Sequence, residues 1–337
     1  MTIRLGYGLV TCQAHPDDPR TTQALVEEAL SLAEEAERIG LDSIWVSEHH
    51  HVDDGHLSSL LVMLAAMAAR TQRIRLGTGV LLAPLHDPVR LAEEAALVDL
   101  ISNGRLVLGL GIGWREEEFE MAGVSLRDRV PRLVDAIEVL RRGTAGLATR
   151  QAADGTPIGR ITPRRDESWR PPVWIGALAE PAIRRAGQIA DGFMATEVTP
   201  EELAGQVAIA RDGARDAGRD PRALAISVHL PTLVTSEPWE SVRDLLRYPG
   251  WKYADMDGQR GYPGPLRSPG PWDEGEEERL RATSLVGTPE VVATRIREYA
   301  DAAGGDLTFI ARSYLPGAGA EGQKSALARL AALLPSL

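Results

Sequence analysis

Residues 100–114 have the sequence LISNGRLVLGLGIGW, and this stretch contains the junction that repeats along the chain. The pair Asn103-Gly104 is typical of a helix end, because both residues accept the left-handed backbone that follows a last helical turn. The run Arg105–Ile112 is apolar and continuous, as in a parallel strand covered by helices. Trp114 and a group of glutamates follow it. We therefore expect helix–strand units with chemically active groups just beyond each strand.

The same unit recurs from one end of the sequence to the other. Asp87-Pro88 and Thr199-Pro200 are typical helix starts, with a capping residue before a proline. Eight βα units predict an α/β fold of the (β/α)8 TIM-barrel type, and a doubly wound open sheet is the alternative. The eight predicted strands are Ile3–Val10, Ser43–Ser47, Ile74–Leu82, Arg105–Ile112, Val173–Ala177, Gly192–Thr196, Leu224–Val234 and Asp306–Ser313.

Composition and charge exclude several classes of function. The net charge of −11 argues against nucleic acid and anionic membranes as partners, since both require a basic face. No apolar run reaches the roughly 18 residues of a membrane span, and no signal-peptide pattern is present, so we expect a cytoplasmic protein. Cys12 is the only cysteine, which excludes an intramolecular disulfide and a cysteine zinc cluster.

We expect residues 1–337 to form one barrel domain with insertions at about 144–172 and 237–284. The second insertion is rich in glycine and proline, and we predict a cover over the C-terminal mouth with little regular structure. We also expect it to be more mobile than the barrel and to order when substrate binds. Its aromatic residues are Trp239, Tyr248, Trp251, Tyr253, Tyr262 and Trp272.

Four of the seven histidines lie within Glu48–His56, after the second predicted strand. An imidazole at the mouth of a barrel is suited to act as an acid, a base or a hydrogen-bond donor near neutral pH. Histidines of an ordinary surface loop are the plain alternative. A zinc site is a third alternative, and it requires further ligands such as His86 or His229.

Gly109, Gly111 and Gly113 alternate along the fourth strand, a spacing that differs from the dinucleotide-binding G-x-G-x-x-G pattern. Such glycines clear one face for a flat ring or for a neighbouring backbone, and tight barrel packing is the equal alternative. Trp114 is more typical of a core plug than of a stacking surface. The run Glu116–Glu118 is typical of a solvated helix start.

Two further positions have weaker signals. Gly176–Ala182 leads into a helix whose free N–H groups suit a phosphate, and a plain turn is the alternative. Cys12 follows the first strand, and we expect a small residue lining the mouth rather than a nucleophile.

Seven motifs, in order, resemble those of the bacterial luciferase-like flavin-dependent oxidoreductases. The resemblance spans essentially the whole chain outside the two insertions, and it implies a TIM barrel that binds reduced FMN or the deazaflavin coenzyme F-420 at its mouth. The motifs are Ser47–His50, Ile74–Leu82, His86–Glu93, Leu100–Arg105, Gly111–Trp114, Pro172–Gly176 and Ala190–Phe193.

The resemblance also implies roles for individual residues. His49 takes the position of the catalytic histidine that faces cofactor and substrate, and Glu48 orients its loop. Gly79-Val80 matches a place where many members have a non-proline cis peptide beneath the flavin ring. No metal ligand is implied. The residues assigned to the cofactor are Gly79, Val80, Gly111, Gly113, Gly176 and Ala177.

The chain also departs from two branches of that family. Luciferases place an arginine on the flavin phosphate where this chain has Ile112, and they have a hydroxyl-rich loop where this chain has Ala177–Pro181. The deazaflavin-dependent glucose-6-phosphate dehydrogenases have a catalytic glutamate where this chain has Trp114. We therefore expect neither light emission nor sugar-phosphate oxidation.

These features favour an FMN-dependent monooxygenase. Reduced FMN from a separate flavin reductase would bind at the mouth and, with oxygen, oxygenate a small organic substrate, while His49 transfers a proton. An F-420-dependent dehydrogenase or reductase is the alternative, and a non-catalytic flavin-binding barrel is the second alternative. We expect a homodimer through the second and third helices, since Leu60–Ala69 is apolar on most sides; burial of that helix inside the monomer is the alternative.

Overall fold

The computed structural model describes residues 1–165, 170–257 and 270–337, with the backbone alone at 251 and 253–257. Tyr262 and the side chains of Trp251 and Tyr253 thus lie outside the described residues. The described strands are β1 Ile3–Val10, β2 Ser43–Val46, β3 Arg75–Thr78, β4 Leu81–Leu82, β5 Leu106–Gly111, β6 Arg150–Gln151, β7 Pro157–Ile158, β8 Val173–Gly176, β9 Gly192–Thr196, β10 Ala225–Val234, β11 Leu285–Gly287 and β12 Leu307–Arg312.

Helices alternate with these strands, as the predicted starts and stops require. Asp87 caps one helix through bonds from Val89 N and Arg90 N, and Asn103 ends it in the left-handed conformation. The described helices are α1 Thr22–Arg38, α2 Leu60–Arg70, α3 Pro88–Ser102, α4 Glu116–Met121, α5 Arg129–Thr144, α6 Glu180–Ile189, α7 Pro200–Asp216, α8 Trp239–Asp257, α9 Glu274–Ala282, α10 Pro289–Ala303 and α11 Gly319–Leu330. Among these residues, no helix combines the length and the apolarity that a bilayer span requires.

Eight parallel strands close into a barrel in the order β1, β2, β3, β5, β8, β9, β10 and β12, and β12 pairs with β1 again. The predicted TIM barrel is therefore confirmed, and the doubly wound sheet was the wrong alternative. One predicted strand, Ile74–Leu82, is divided into β3 and β4 at Gly79-Val80, whose peptide bond is cis. Both pieces pair with β5.

Two stacked indoles fill the centre of the barrel. The ring centroids of Trp45 on β2 and Trp174 on β8 lie 5.4 Å apart. Gly77 and Gly192 make room for them, because a Cβ at Gly77 would lie 2.2 Å from the Trp45 ring and one at Gly192 would lie 2.5 Å from the Trp174 ring. The barrel interior is thus packed, and only its ends are available for chemistry.

The insertion at 237–284 is largely helical where it is described, so the prediction of little regular structure is wrong. Trp239, Val242 and Leu246 lie at helical spacing on α8 and form an apolar cluster with Leu233 and Leu315 of the barrel end. The glycine and proline content concealed this amphipathic spacing. The insertion at 144–172 contains a small antiparallel hairpin of β6 and β7.

Candidate active site

The loop that follows β2 is folded back over the strand ends by its own backbone. His49 N donates to Leu57 O at 3.1 Å, and Leu57 N donates to Thr11 O at 2.8 Å. The loop is thereby tied to the end of β1 as well as β2. This anchoring buries His49 at the C-terminal end of the barrel, where the function of such barrels resides.

Glu118 holds the imidazole of His49. Its Oε1 lies 3.0 Å from His49 Nδ1 and also accepts from His50 N at 2.9 Å, and the residue is 1% exposed. The expectation of a solvated helix start at Glu116–Glu118 is therefore wrong for the third glutamate. Glu118 and Phe119 are the buried residues of α4, and since the partner His49 lies 69 positions away in the chain, no local pattern marked this glutamate.

Glu48 joins the histidine loop to the next strand. Its Oε2 accepts from Leu82 N at 2.7 Å, and its Oε1 lies 2.6 Å from His50 Nε2 and 2.9 Å from His86 Nε2. Burial alone would raise the pKa of Glu48, but the two imidazole hydrogen bonds outweigh it and bring the pKa to about 2. The hydrogen bond to Glu48 in turn raises the pKa of His50.

Among the described residues, Glu48, His50 and His86 form the group whose possible metal-ligand atoms lie within 4.8 Å of one another. Their N–O separations of 2.6 and 2.9 Å are those of hydrogen bonds. Two ligands of one tetrahedral zinc ion would lie roughly 3.3 Å apart. We therefore describe the group as two imidazoles on one carboxylate. His229, the other candidate, lies instead 3.2 Å from the hydroxyl of Thr196.

Trp114 lies beside the histidines rather than in the core. It is 39% exposed, and its ring centroid lies 6.4 Å from that of His49, edge to face. The expectation of a core plug is therefore wrong. The side chain is placed to contact a ligand at the mouth.

Two of the glycines that the resemblance assigns to a cofactor, Gly111 and Gly176, lie against the side chain of Val80. A Cβ at Gly111 would lie 2.5 Å from Val80 Cγ2, and one at Gly176 would lie 2.8 Å from Val80 Cγ1. Gly79 N donates to Val46 O at 2.7 Å, which fixes this crossing to β2. We call Gly79, Val80, Gly111, Gly113, Gly176 and Ala177 the glycine patch, and we call His49, His50, His56 and His86 with Glu48 and Glu118 the histidine cluster.

Not every glycine of the fourth predicted strand belongs to a surface. A Cβ at Gly109 would lie 2.0 Å from Thr78 O, so this glycine serves the close approach of β3 and β5. Gly113 has a φ of 69°, and a Cβ there would lie 2.8 Å from the ring of Phe119. Barrel packing therefore explains Gly109, while Gly111 lies at the open end of β5.

Comparison with known proteins decides what kind of chain has this arrangement. The model of the family described as luciferase-like monooxygenase matches residues 6–306. The chain belongs to the luciferase-like monooxygenase family.

Several relatives of this luciferase-like chain have named activities. It is 28% identical over 334 residues to 4-hydroxyprotoasukamycin monooxygenase of Streptomyces nodosus subsp. asukaensis, covering 90% of this chain and 84% of that protein. It is 31% identical over 210 residues to a coenzyme F-420-dependent glucose-6-phosphate dehydrogenase of Amycolatopsis mediterranei, covering 60% of each. The crystal structure of a monooxygenase from Streptomyces bottropensis superposes with a TM-score of 0.77 at 24% identity, over 99% of both chains.

The luciferase-like barrel also has a cavity of about 400 Å³ beneath the insertion. It lies between α8, α9 and the ends of β9, β10 and β12, and Arg279, Glu197 and Arg312 are among its lining residues. A cleft that begins beside Ala177, at Leu178, shares Glu197 and Arg279 with it. The cavity thus lies at the C-terminal ends of the strands, where α8 and α9 cover them.

Cys12 was expected to line the mouth, but it lies in the hydrophobic core. The side chain is fully buried, and burial raises the pKa of its thiol to about 12. A thiol with that pKa is not a nucleophile near neutral pH.

Proposed function

We propose that this protein is a cytoplasmic, FMN-dependent monooxygenase that oxygenates a small organic substrate with reduced FMN supplied by a separate flavin reductase. The observation that carries the proposal is the pair His49–Glu118, a buried imidazole held by a carboxylate at the rim of a barrel mouth. The glycine patch adds positions without bulky or charged side chains, since Gly111 and Gly176 lie against Val80.

The described residues suit a flat, phosphate-bearing cofactor. The glycine patch offers backbone and one small apolar side chain, and Trp114 offers an exposed ring on the histidine side. Gly176 and Ala177 lead into α6, whose N-terminus is the positive end of the helix dipole, although Pro181 in its first turn has no N–H to donate. A bound flavin would supply the chemistry of oxygen activation, which no side chain of this site provides.

The protein's own residues would orient the bound substrate and cofactor, exclude water from them and transfer a proton. The carboxylate of Glu118 lies 3.0 Å from Nδ1 of His49 and orients the ring, and we assign to this imidazole the proton transfer with bound substrate or cofactor. The helices α8 and α9 roof the cavity and exclude water from one side. The cavity volume of about 400 Å³ suits a small organic molecule.

Two considerations favour oxygenation over hydride transfer. The relative named as a 4-hydroxyprotoasukamycin monooxygenase aligns over 90% of this chain, whereas relatives named as F-420-dependent glucose-6-phosphate dehydrogenases align over 60–82%. Trp114 also occupies the position at which that dehydrogenase branch has its catalytic glutamate. An indole N–H is a hydrogen-bond donor and does not replace a carboxyl acid.

Parallel anaerobic titrations with reduced FMN and reduced F-420, each followed by admission of oxygen, test the proposal. We expect micromolar binding of reduced FMN and its oxygen-dependent consumption with candidate substrates, and a nearly colourless protein as isolated. Tight binding of F-420 without an oxygen reaction would establish the dehydrogenase instead. Binding of neither cofactor would leave a non-catalytic barrel.

We also propose that two copies associate through α2 and α3. Leu61, Met63, Leu64 and Met67 are buried within the monomer, so the apolar character of Leu60–Ala69 alone does not require a partner. Exposed apolar side chains remain on these helices, namely Val62 at 71%, Leu97 at 46% and Ile101 at 45%. Sedimentation at micromolar concentration tests this proposal, and a monomer throughout that range would exclude the dimer.

A further inference from the structure

A buried lysine connects the insertion to the histidine cluster. Lys252 on α8 is 1% exposed, and its ammonium forms an ion pair with the buried carboxylate of Asp54. Lys252 Nζ also lies 2.8 Å from His56 Nδ1. Lysine occurs only at 252 and 324 in the whole sequence, and the other fixed cations are arginines. A compact ammonium at this position is thus an exception in a chain that otherwise uses the planar guanidinium.

The partners of Lys252 are held in place by contacts that do not involve α8. Asp54 Oδ1 accepts from His56 N at 3.0 Å, and Asp54 O accepts from Ala14 N at 2.7 Å. The turn from Asp54 to His56 is therefore held by its own backbone and by the loop after β1. The insertion supplies the ammonium of Lys252 to this contact.

The contact with Lys252 determines which ring nitrogen of His56 is protonated. An ammonium donates hydrogen bonds and accepts none, so His56 Nδ1 must be the acceptor. The neutral ring then has its proton on Nε2. Burial first, and then the positive charge of Lys252, hold the pKa of His56 well below its ordinary value, with His49 and Arg312 adding to the effect. Burial also lowers the pKa of Lys252 to about 8, against the opposing attraction of Asp54.

His56 touches the predicted catalytic histidine. The ring centroids of His56 and His49 lie 5.1 Å apart with an interplanar angle of 81°, an edge-to-face contact. A ring with a fixed tautomer presents a fixed edge and dipole to its neighbour. On its other side His49 is held by Glu118 at 3.0 Å. The orientation of His49 is therefore set from two directions, one of which depends on α8.

We propose that Lys252 is a positioning residue by which the insertion fixes the tautomer of His56 and, through the ring contact, the orientation of His49. The part concerning His49 rests on the proposed function, while the part concerning His56 does not. The insertion is then a component of the active site as well as a cover over it. Turnover would require α8 in place, because Asp54 and His56 without Lys252 do not define one tautomer.

Imidazole ¹⁵N spectra of histidine-labelled protein test the proposal directly. In the wild-type protein we expect His56 to have an unprotonated Nδ1 and a protonated Nε2 between pH 6 and 8. In Lys252→Met, which keeps the side-chain length but removes the donor, we expect a mixture of the two neutral tautomers of His56. Wild-type His56 protonated on Nδ1, or an unchanged spectrum in the variant, would overturn the proposal.

Turnover provides the second readout. We expect kcat of Lys252→Met to fall roughly tenfold, the effect of one lost hydrogen bond to a charged group, with little change in cofactor affinity. Lys252→Arg, which restores a donor and a charge, should recover part of that loss. Lys324→Met serves as the matched control, because the side chain of Lys324 is 57% exposed.

The ¹⁵N spectra also test the proposal when Lys252→Met does not fold and when no turnover is found. If Lys252→Met fails to fold, Asp54→Asn is the replacement variant. It removes the carboxylate that pairs with the ammonium of Lys252, so His56 should again show a mixture of tautomers. A protein that turns over no substrate with either cofactor refutes the proposed function and leaves the His56 spectra to be judged alone. A loss of turnover without any change at His56 would show that Lys252 only supports the fold.

Discussion

The two sides of the barrel mouth are built by opposite means. The histidine cluster consists of ionisable side chains joined by hydrogen bonds, with the carboxylates of Glu48 and Glu118 as the acceptors. The glycine patch is nearly without functional side chains, and its shape comes from Gly111 and Gly176 around Val80. From this difference we infer that the histidine cluster transfers protons and that the glycine patch accommodates a flat ring.

The strongest test of this comparison is the replacement of His49 by alanine. If the histidine cluster performs proton transfer, turnover should fall roughly 10²–10⁴-fold, while folding and cofactor affinity change little. Steady-state kinetics and cofactor titration of the same preparation measure both. His51→Ala is the matched control, since His51 is exposed. Unchanged turnover in His49→Ala would remove the histidine cluster from the chemistry.

The histidine cluster should also make the free energy of unfolding depend on pH in the acidic range, whereas the glycine patch should not. Glu48 has a pKa of about 2 in the folded protein against 4.5 when unperturbed. Its stabilising contribution, about 3 kcal/mol, is thus fully present above pH 4.5 and is lost as the pH falls toward 2. Urea unfolding from pH 5.5 to 3 should show a shallower decline for Glu48→Gln than for the wild type.

The control for the acid experiment is Glu321→Gln, because the Glu321 side chain is 93% exposed. That variant should follow the wild-type decline with pH. A decline in Glu48→Gln as steep as that of the wild type would mean that the carboxylate is not the group that titrates.

Glu118→Gln separates the orientation of His49 from its presence. The amide keeps the size of the side chain but loses the charge that faces His49 Nδ1, so we expect kcat to fall roughly tenfold to hundredfold with KM little changed. Glu116→Gln, at an exposed position of the same helix, should have normal kinetics. Equal kinetics in both variants would show that the buried carboxylate is structural only.

Gly111→Ala tests the opposite side of the comparison. The added methyl group would lie 2.5 Å from Val80 Cγ2 and must displace that side chain. We expect roughly tenfold weaker binding of reduced cofactor and a stability loss of about 1–3 kcal/mol. Gly322→Ala, a helical glycine of α11 without contact to Val80, is the control. Unaltered cofactor affinity in Gly111→Ala would place the ring elsewhere.

The barrel was predictable from the sequence because its signals are local. Apolar runs, helix caps such as Asp87, and the pair Asn103-Gly104 each act within a few residues. The cis peptide bond at Gly79-Val80 followed only from the resemblance to a family. The division of the third predicted strand at that bond was not predicted, because the local pattern is that of one continuous strand.

The site was predictable in part only. The histidine loop and the glycines were identified, but Glu118 and Lys252 were not, because each has its partner far away in the chain. Glu118 bonds to His49, and Lys252 to Asp54. No periodicity encodes such a pairing. Composition was also misleading for α8, whose apolar spacing at Trp239, Val242 and Leu246 outweighs its glycine and proline content.

The indole pair at the barrel centre has a consequence for how such a protein can arise and fold. Trp45 and Trp174 lie 129 positions apart, from 174 minus 45, on strands that are not neighbours in the sheet. Their stack forms only when distant parts of the chain have met, which makes folding slow and cooperative. A fragment containing β1 to β5 would leave a large indole in water. We therefore expect that neither half of this barrel folds alone. If the gene is divided between β5 and β8, each of the two fragments should be insoluble, and the folded protein should form only when the two fragments are mixed.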